Sequence, residues 1–166
     1  MQNRKLINNR TLPVSLNDVY GQENIATYNK TAMQNLRTLA DPSEPYKMVL
    51  ITSMETVEWF DEYLQWKSDH DLETGVFFTE DIYEEYEGVN DQAKIKNFII
   101  DAYETWSMTD FPLEYVILGG DDEIIPIRGV YINAGGTIDN NMPCDVYYSC
   151  LDNDWDENEN GTYGEV

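Results

Sequence analysis

The stretch EYVILGGDDEIIPIR, residues 114–128, carries the strongest strand signal in the chain. Its apolar run EYVILGG, 114–120, is nearly continuous. That pattern belongs to a strand covered on both faces, as in a parallel sheet. The glycines that close it permit a tight turn and a close approach of backbone. Ligands of open α/β sheets gather beyond the carboxyl ends of strands. Asp121 and Asp122 therefore stand where a divalent cation or a cationic substrate would be held. The alternative is a polar loop with a capping aspartate. GGDDE is one letter from the GGDEF-like turn of nucleotide cyclases, but that turn joins two hairpin strands and no second strand precedes Pro126.

Working outward, YKMVLIT at 46–52 and GVFFT at 75–79 read as two more strands of the same kind. Between them Thr52 and Glu55 suggest a capping box. It opens a helix to about Ser68, with Val57, Phe60 and Leu64 inward and Tyr63 and Lys67 beside them. EDIYEEYEG makes a short helical turn ending at Gly88. Asn90 or Asp91 then caps an amphipathic helix whose stripe is Ile95, Phe98, Ile99, Ala102 and Trp106. The order β-α-β-α-β predicts an α/β fold, a mostly parallel sheet flanked by helices on both faces. IRGVYI and DVYYSCL, 145–151, read as weaker strands. Residues 1–28 are polar and irregular, 29–40 have helical spacing at Met33 and Leu36, and DPSEP breaks the chain at 41–45. Residues 1–45 are thus an N-terminal extension, the end of a pro-segment or a packed arm, and 46–166 the α/β unit.

The 166 residues suffice for one domain, and twelve Tyr and four Trp argue for a packed core. The net charge of −22 repels phosphate backbones, so nucleic acid is excluded as a partner. It suits solubility, cation binding or a high-salt setting. No run of about 18 apolar residues offers a membrane span. The opening MQNRKLINNRTLPVSL lacks the apolar core of a signal peptide.

LDNDWDENENGTYGE, 151–165, reads in two ways. From Asp156 it runs D-E-N-E-N-G, with oxygen donors at Asp156, Asn158 and Asn160 and a turn glycine at Gly161. This is the first half of an EF-hand-like calcium loop. The usual bidentate Glu at the twelfth position falls one past Val166, and Glu165 is the substitute. Asp152 and Asp154 lie just upstream as further donors. Hard oxygens with no His or Cys among them favour calcium over zinc. The other reading is a solvated acidic loop.

Cysteine catalysis needs an imidazole within hydrogen-bond reach of the thiol. His70 is the one histidine, and it lies before a strand, far in sequence from Cys144 and Cys150. No catalytic residue is assigned. If 145–150 is a strand, the two thiols are roughly 20 Å apart, against the ~5.5 Å of a disulfide, and read as buried free cysteines.

The chain resembles the front part of the catalytic domain of gingipain-type cysteine peptidases. The resemblance rests on YKMVLITS, YLQWKSDHDLETGVFFTEDI, YEGVNDQAKIKNFIIDAYETW, EYVILGGDDEIIPIR and MPCDVYYSCLDNDWDENENGTYGE in that order, over roughly residues 46–166. It implies a caspase-like α/β fold, an exported protein acting outside the cell or at its surface, and polypeptide substrates. The family's His–Cys dyad lies after the matched region, so the resemblance implies a downstream catalytic half-domain as partner. It also implies structural calcium in which Asp121 joins ligands of the 152–165 loop. Two positions depart from the family pattern: Asp71 stands in a turn that usually has Gly, and Asp152-Asn153 where Asp-Gly is common. Both residue types tolerate left-handed turns.

Three functions follow. The first is the N-terminal non-catalytic subdomain of a gingipain-like cysteine endopeptidase, with a calcium site. The second is a free-standing calcium-dependent binding module on a pseudo-peptidase fold. The third is a magnesium-dependent flavodoxin-like or phosphoryl-transfer domain using Asp121 and Asp122.

Overall fold

A computed structural model describes residues 39–165 together with a short antiparallel pair, β1 (Leu6–Ile7) and β2 (Arg10–Thr11). The helix expected over 29–40 lies outside the described residues, apart from a bend at 39–40.

Three parallel strands form the centre: β3 (Met48–Thr52), β4 (Thr74–Phe78) and β5 (Tyr115–Gly119), in the order β4-β3-β5. Met48 pairs with Thr74 on one side and Tyr115 on the other, and the register runs without a slip to Thr52. All five residues of β3 are buried, because the strand is central and covered on both faces. The sheet's outer strand β5 leaves Tyr115 and Val116 exposed.

The two crossovers leave β3 and return past it in opposite directions, so a single handedness puts their helices on opposite faces. On one face Val49 and Ile51 pack with α3 (Asp91–Trp106), whose Ile95, Phe98, Ile99, Ala102 and Trp106 are all buried as the spacing predicts. Asn90 caps this helix by accepting a hydrogen bond from Ala93 N at 3.1 Å. The short helix α2 (Thr79–Glu85) adds Ile82 to the same core. On the other face lie Leu50, a 3₁₀ turn at Val57–Phe60 and α1 (Asp61–Asp69). A Cβ on Gly119 would sit 2.6 Å from Leu50 Cδ1 and 2.9 Å from Phe60 Cζ, so glycine is what lets these side chains close over the sheet.

Three expectations need correction. Thr52 does not cap a helix. Its hydroxyl donates to Gly119 O at 2.6 Å and meets Thr56 Oγ1 at 2.9 Å, and the α-helix starts only at Asp61. Tyr63 faces outward, 38% exposed, with the Lys67 ammonium 5.2 Å over its ring.

The third correction is residues 145–151. They are not a strand but a helical turn, α4 (Val146–Ser149), closed by hydrogen bonds such as Tyr148 N to Asp145 O at 3.0 Å and Cys150 N to Val146 O at 3.0 Å. A strand would send Tyr147 and Tyr148 to opposite faces. The turn lets both sink into the α3 side of the core, at 2% and 3% exposure. The strand-based separation of Cys144 and Cys150 lapses with the strand, and both are half-buried free thiols.

IRGVYI forms β6 (Gly129–Ala134), which pairs antiparallel with an unexpected β7 (Thr137–Pro143). Asp71 adopts φ 61°, so the left-handed turn survives without glycine. Among the described residues, no helix is long and apolar enough to cross a membrane.

Candidate functional site

The acidic loop that follows α4 is docked, not free. Tyr131 N on β6 donates to Tyr163 O at 2.7 Å, and Gly164 N donates to Trp155 O at 2.7 Å. Gly164 lies against Val130, where an added Cβ would be 3.4 Å away. Beneath the loop two cations are buried. Lys96 of α3 is 3% exposed and donates to Asn153 O. Its ammonium is 4.3 Å from the Tyr147 ring centre. The Arg128 guanidinium, 4% exposed, lies 4.3 Å from the same ring and 3.8 Å from that of Tyr163. Cations over aromatic faces are attracted by the ring quadrupole, more so when desolvated. Arg128 Nη2 also donates to the helix-capping Asn90 Oδ1 at 2.8 Å. Burial lowers the Lys96 pKa and the Arg128 charge adds to that, against the opposing pull of Asp154 and Asp152. Burial raises the Tyr147 phenol, and Arg128 opposes that rise.

Above these cations the loop folds on its own side chains. Asp156 Oδ1 accepts from Asn160 N and Oδ2 from Gly161 N, both at 2.9 Å. Asn158 Oδ1 accepts from Asn160 N at 3.1 Å, and Asn160 Oδ1 from Thr162 N at 2.7 Å. The amide nitrogens of Asn158 and Asn160 both donate to Glu165 Oε1. Gly161 has φ 82° with nothing near a notional Cβ, so the turn and not crowding selects glycine there. Asn158 and Asn160 thus converge on Glu165, while the Asp156 carboxylate caps the same turn.

The other expected donors lie elsewhere. Asp154 Oδ1 accepts from Asp156 N at 3.2 Å, and Asp152 Oδ1 accepts from Cys150 Sγ at 3.4 Å. Asp121 is exposed. Its carboxylate accepts from Glu123 N at 3.1 Å, and its carbonyl from Ile124 N and Ile125 N. It serves as the cap of its own turn, and among the described residues none of its hydrogen bonds reaches 152–165. A cleft of about 410 Å³ does open beyond the carboxyl ends of β3 and β4, lined by Ser53, Glu55, Glu80, Tyr83 and Glu123 among others. Among the described residues no three His, Cys, Asp or Glu side chains converge as a metal would require, so the 156–165 cluster depends on its two asparagines.

His70 Nδ1 donates to Trp66 O at 2.7 Å, and the imidazole stacks on the Trp66 ring at 4.3 Å between centres. Among the described residues no hydrogen bond joins it to either thiol.

Residues 41–163 match the family model of peptidase family C25, the gingipain family. The chain belongs to this family. The C25 match runs from the DPSEP break through the three-stranded sheet and α4 to Tyr163 in the acidic loop. It accounts for the α/β architecture with a parallel sheet and for the order of segments. Neither the comparison with curated proteins nor that with solved structures gives a match. Within the C25 segment Lys96 and Arg128 are the residues that reading for acidic motifs passes over. A signal was present for Lys96, which sits directly beside Ile95 and one turn before Ile99 on the buried stripe.

Proposed function

We propose that this chain is the non-catalytic subdomain of a gingipain-like cysteine endopeptidase, which supports a catalytic half and carries a structural calcium ion in the 156–165 loop. In the whole protein the substrate is a polypeptide. The convergence of Asn158 and Asn160 on Glu165, in a turn capped by the Asp156 carboxylate, supports the calcium part of this reading. Each donor is a hard oxygen or a carboxamide, which suits calcium's preference for six to eight oxygens in flexible geometry. The Asp156 oxygens each keep lone pairs beyond their backbone hydrogen bonds. Turning the Asn158 and Asn160 carboxamides about their terminal torsion, which is broad and roughly two-fold, presents oxygen where nitrogen now meets Glu165. Asp121 stays outside the set, because among the described residues none of its hydrogen bonds reaches 152–165. The reading goes with action outside the cell or at its surface, where calcium modules work at about 10⁻⁴–10⁻³ M.

The non-catalytic part rests on the single histidine of the sequence, which is held by Trp66 and not by a thiol. The test is a thermal melt with EDTA, calcium and magnesium, run beside a peptidase assay. A ligand at 100 times its Kd adds about 2.7 kcal/mol, so calcium should raise the Tm by roughly 5 to 11 °C for a domain this size. Magnesium should not, and Asp156→Ala should abolish the rise. A flat response to calcium overturns the metal site. Peptide hydrolysis that tracks the pure chain and is lost on Cys150→Ala overturns the non-catalytic reading.

A further inference from the structure

We infer that Lys96 is a built-in counter-ion that divides the acidic loop, serving residues 152–154 from inside the fold and leaving only the Asp156–Glu165 half for an external cation. The second clause rests on the calcium reading above; the first does not.

An ammonium at 3% exposure must find compensating partners or shed its charge. Lys96 finds the carbonyl of Asn153, which lies between the two carboxylates Asp152 and Asp154, and the face of Tyr147. Both carboxylates favour its charged form through space, against burial and the Arg128 guanidinium. Neither is drawn into the 156–165 cluster: Asp152 meets the Cys150 thiol, and Asp154 caps the backbone at Asp156. The hinge between the halves is Trp155, at φ 70°. A bulky residue rarely takes that conformation, and it is held by Gly164 N on the Trp155 carbonyl and Trp155 N on the Asn153 side chain. Arg128 shares the Tyr147 ring with Lys96 and extends the cationic floor to Tyr163, 3.8 Å from its guanidinium. The loop therefore has one half anchored at the Asn153 carbonyl by a buried ammonium and one half tied together by its own side chains.

The sign of a stability change tests this. In a chain of net charge −22, removing two exposed carboxylates should relieve repulsion and raise the Tm. If Lys96 depends on them, Asp152→Asn with Asp154→Asn lowers the Tm in EDTA by several degrees instead. The same pair of changes made on Lys96→Met raises it, or leaves it unchanged. The calcium-induced rise stays near the wild-type value in Asp152→Asn/Asp154→Asn and disappears in Asp156→Asn. The inference is overturned if the double change raises the Tm in the native background, if its effect is the same with and without Lys96, or if it removes the calcium response. Should Lys96→Met fail to fold, the sign in the native background and the calcium response still decide. A wild type without any calcium shift defeats the metal site alone, while the sign of the EDTA melts still judges Lys96.

Discussion

Asn90 joins the helix that carries the core to the cations that carry the loop. Its Oδ1 accepts from Ala93 N at 3.1 Å and from Arg128 Nη2 at 2.8 Å. Asn90→Ala removes both bonds. Loss of an N-cap costs about 1 kcal/mol. The second bond has a charged donor, worth about 1.5–3 kcal/mol, and it belongs to a guanidinium at 4% exposure whose Nε already lacks a partner among the described residues. The two losses together come to roughly 2.5–4 kcal/mol, which for a domain of this size lowers the Tm by about 5–16 °C. Asn90→Asp keeps both acceptor roles and gives Arg128 an anionic partner at a helix N-terminus, where a negative charge adds about 0.3–1 kcal/mol. The neighbouring Asp91 opposes that gain, so Asn90→Asp should melt at or slightly above the wild type. Urea titration followed by circular dichroism at neutral pH measures both variants on one scale. An Asn90→Ala cost below about 1 kcal/mol would mean that the Arg128 bond adds nothing beyond the cap. An Asn90→Asp variant as weak as Asn90→Ala would show that the acceptor geometry is not what holds Arg128.

Two further predictions come from the sheet and from α2. Gly119→Ala should cost about 1–3 kcal/mol by overpacking, because the new methyl meets Leu50, Phe60 and the Ile51 carbonyl; denaturant midpoints of Gly119→Ala and of a control such as Gly135→Asn, at the open β6–β7 turn, separate crowding from general glycine effects. Burial, aided by Glu80, Glu84 and Glu85, pushes Asp81 up to about 6. A carboxyl whose folded pKa lies above its unfolded value holds its proton more tightly when folded, so stability falls as pH rises from about 4 to about 6. Asp81→Asn should flatten that slope and melt higher than wild type at pH 7; a slope unchanged by the substitution would exclude Asp81 as its source.

The α/β centre was legible because its signals are redundant. Ile95, Phe98, Ile99, Ala102 and Trp106 repeat at helical spacing within a sixteen-residue helix, with an asparagine cap in front, and the helix forms as written. The strands 48–52 and 115–119 are short apolar runs bounded by turn residues, and both pair in register. Short segments with mixed signals failed. DVYYSCL has strand-forming residues, but tertiary burial of two adjacent tyrosines needs a helical turn. β7, TIDNNMP, is exposed at every residue and has no apolar alternation to find. The Gly135-Gly136 pair, at φ 64° and 89°, was the readable hairpin signal before it. Thr52 had the right letter for a cap, yet a buried hydroxyl was needed to satisfy Gly119 O across the sheet. At the acidic loop the D-x-N-x-N-G spacing located Asp156, Asn158, Asn160 and Glu165 as neighbours. Spacing could not tell that the Asn153 carbonyl, between Asp152 and Asp154, takes a hydrogen bond from a lysine 57 positions away.

The outer strand β5 has one more consequence. Among the described residues it pairs on one side only, and its bare rim carries Tyr115 and Val116. An unpaired apolar strand rim is a template on which a second chain can add. What stands against that here is long-range repulsion between molecules of net charge −22. Its reach is about 30 Å at 0.01 M salt and about 10 Å at 0.1 M. At low ionic strength two copies push apart well before their backbones come into hydrogen-bonding range. Added salt shortens that barrier and leaves the rim as it is, so this molecule is best concentrated in dilute buffer, and light scattering should rise with salt sooner than an acidic surface alone would suggest.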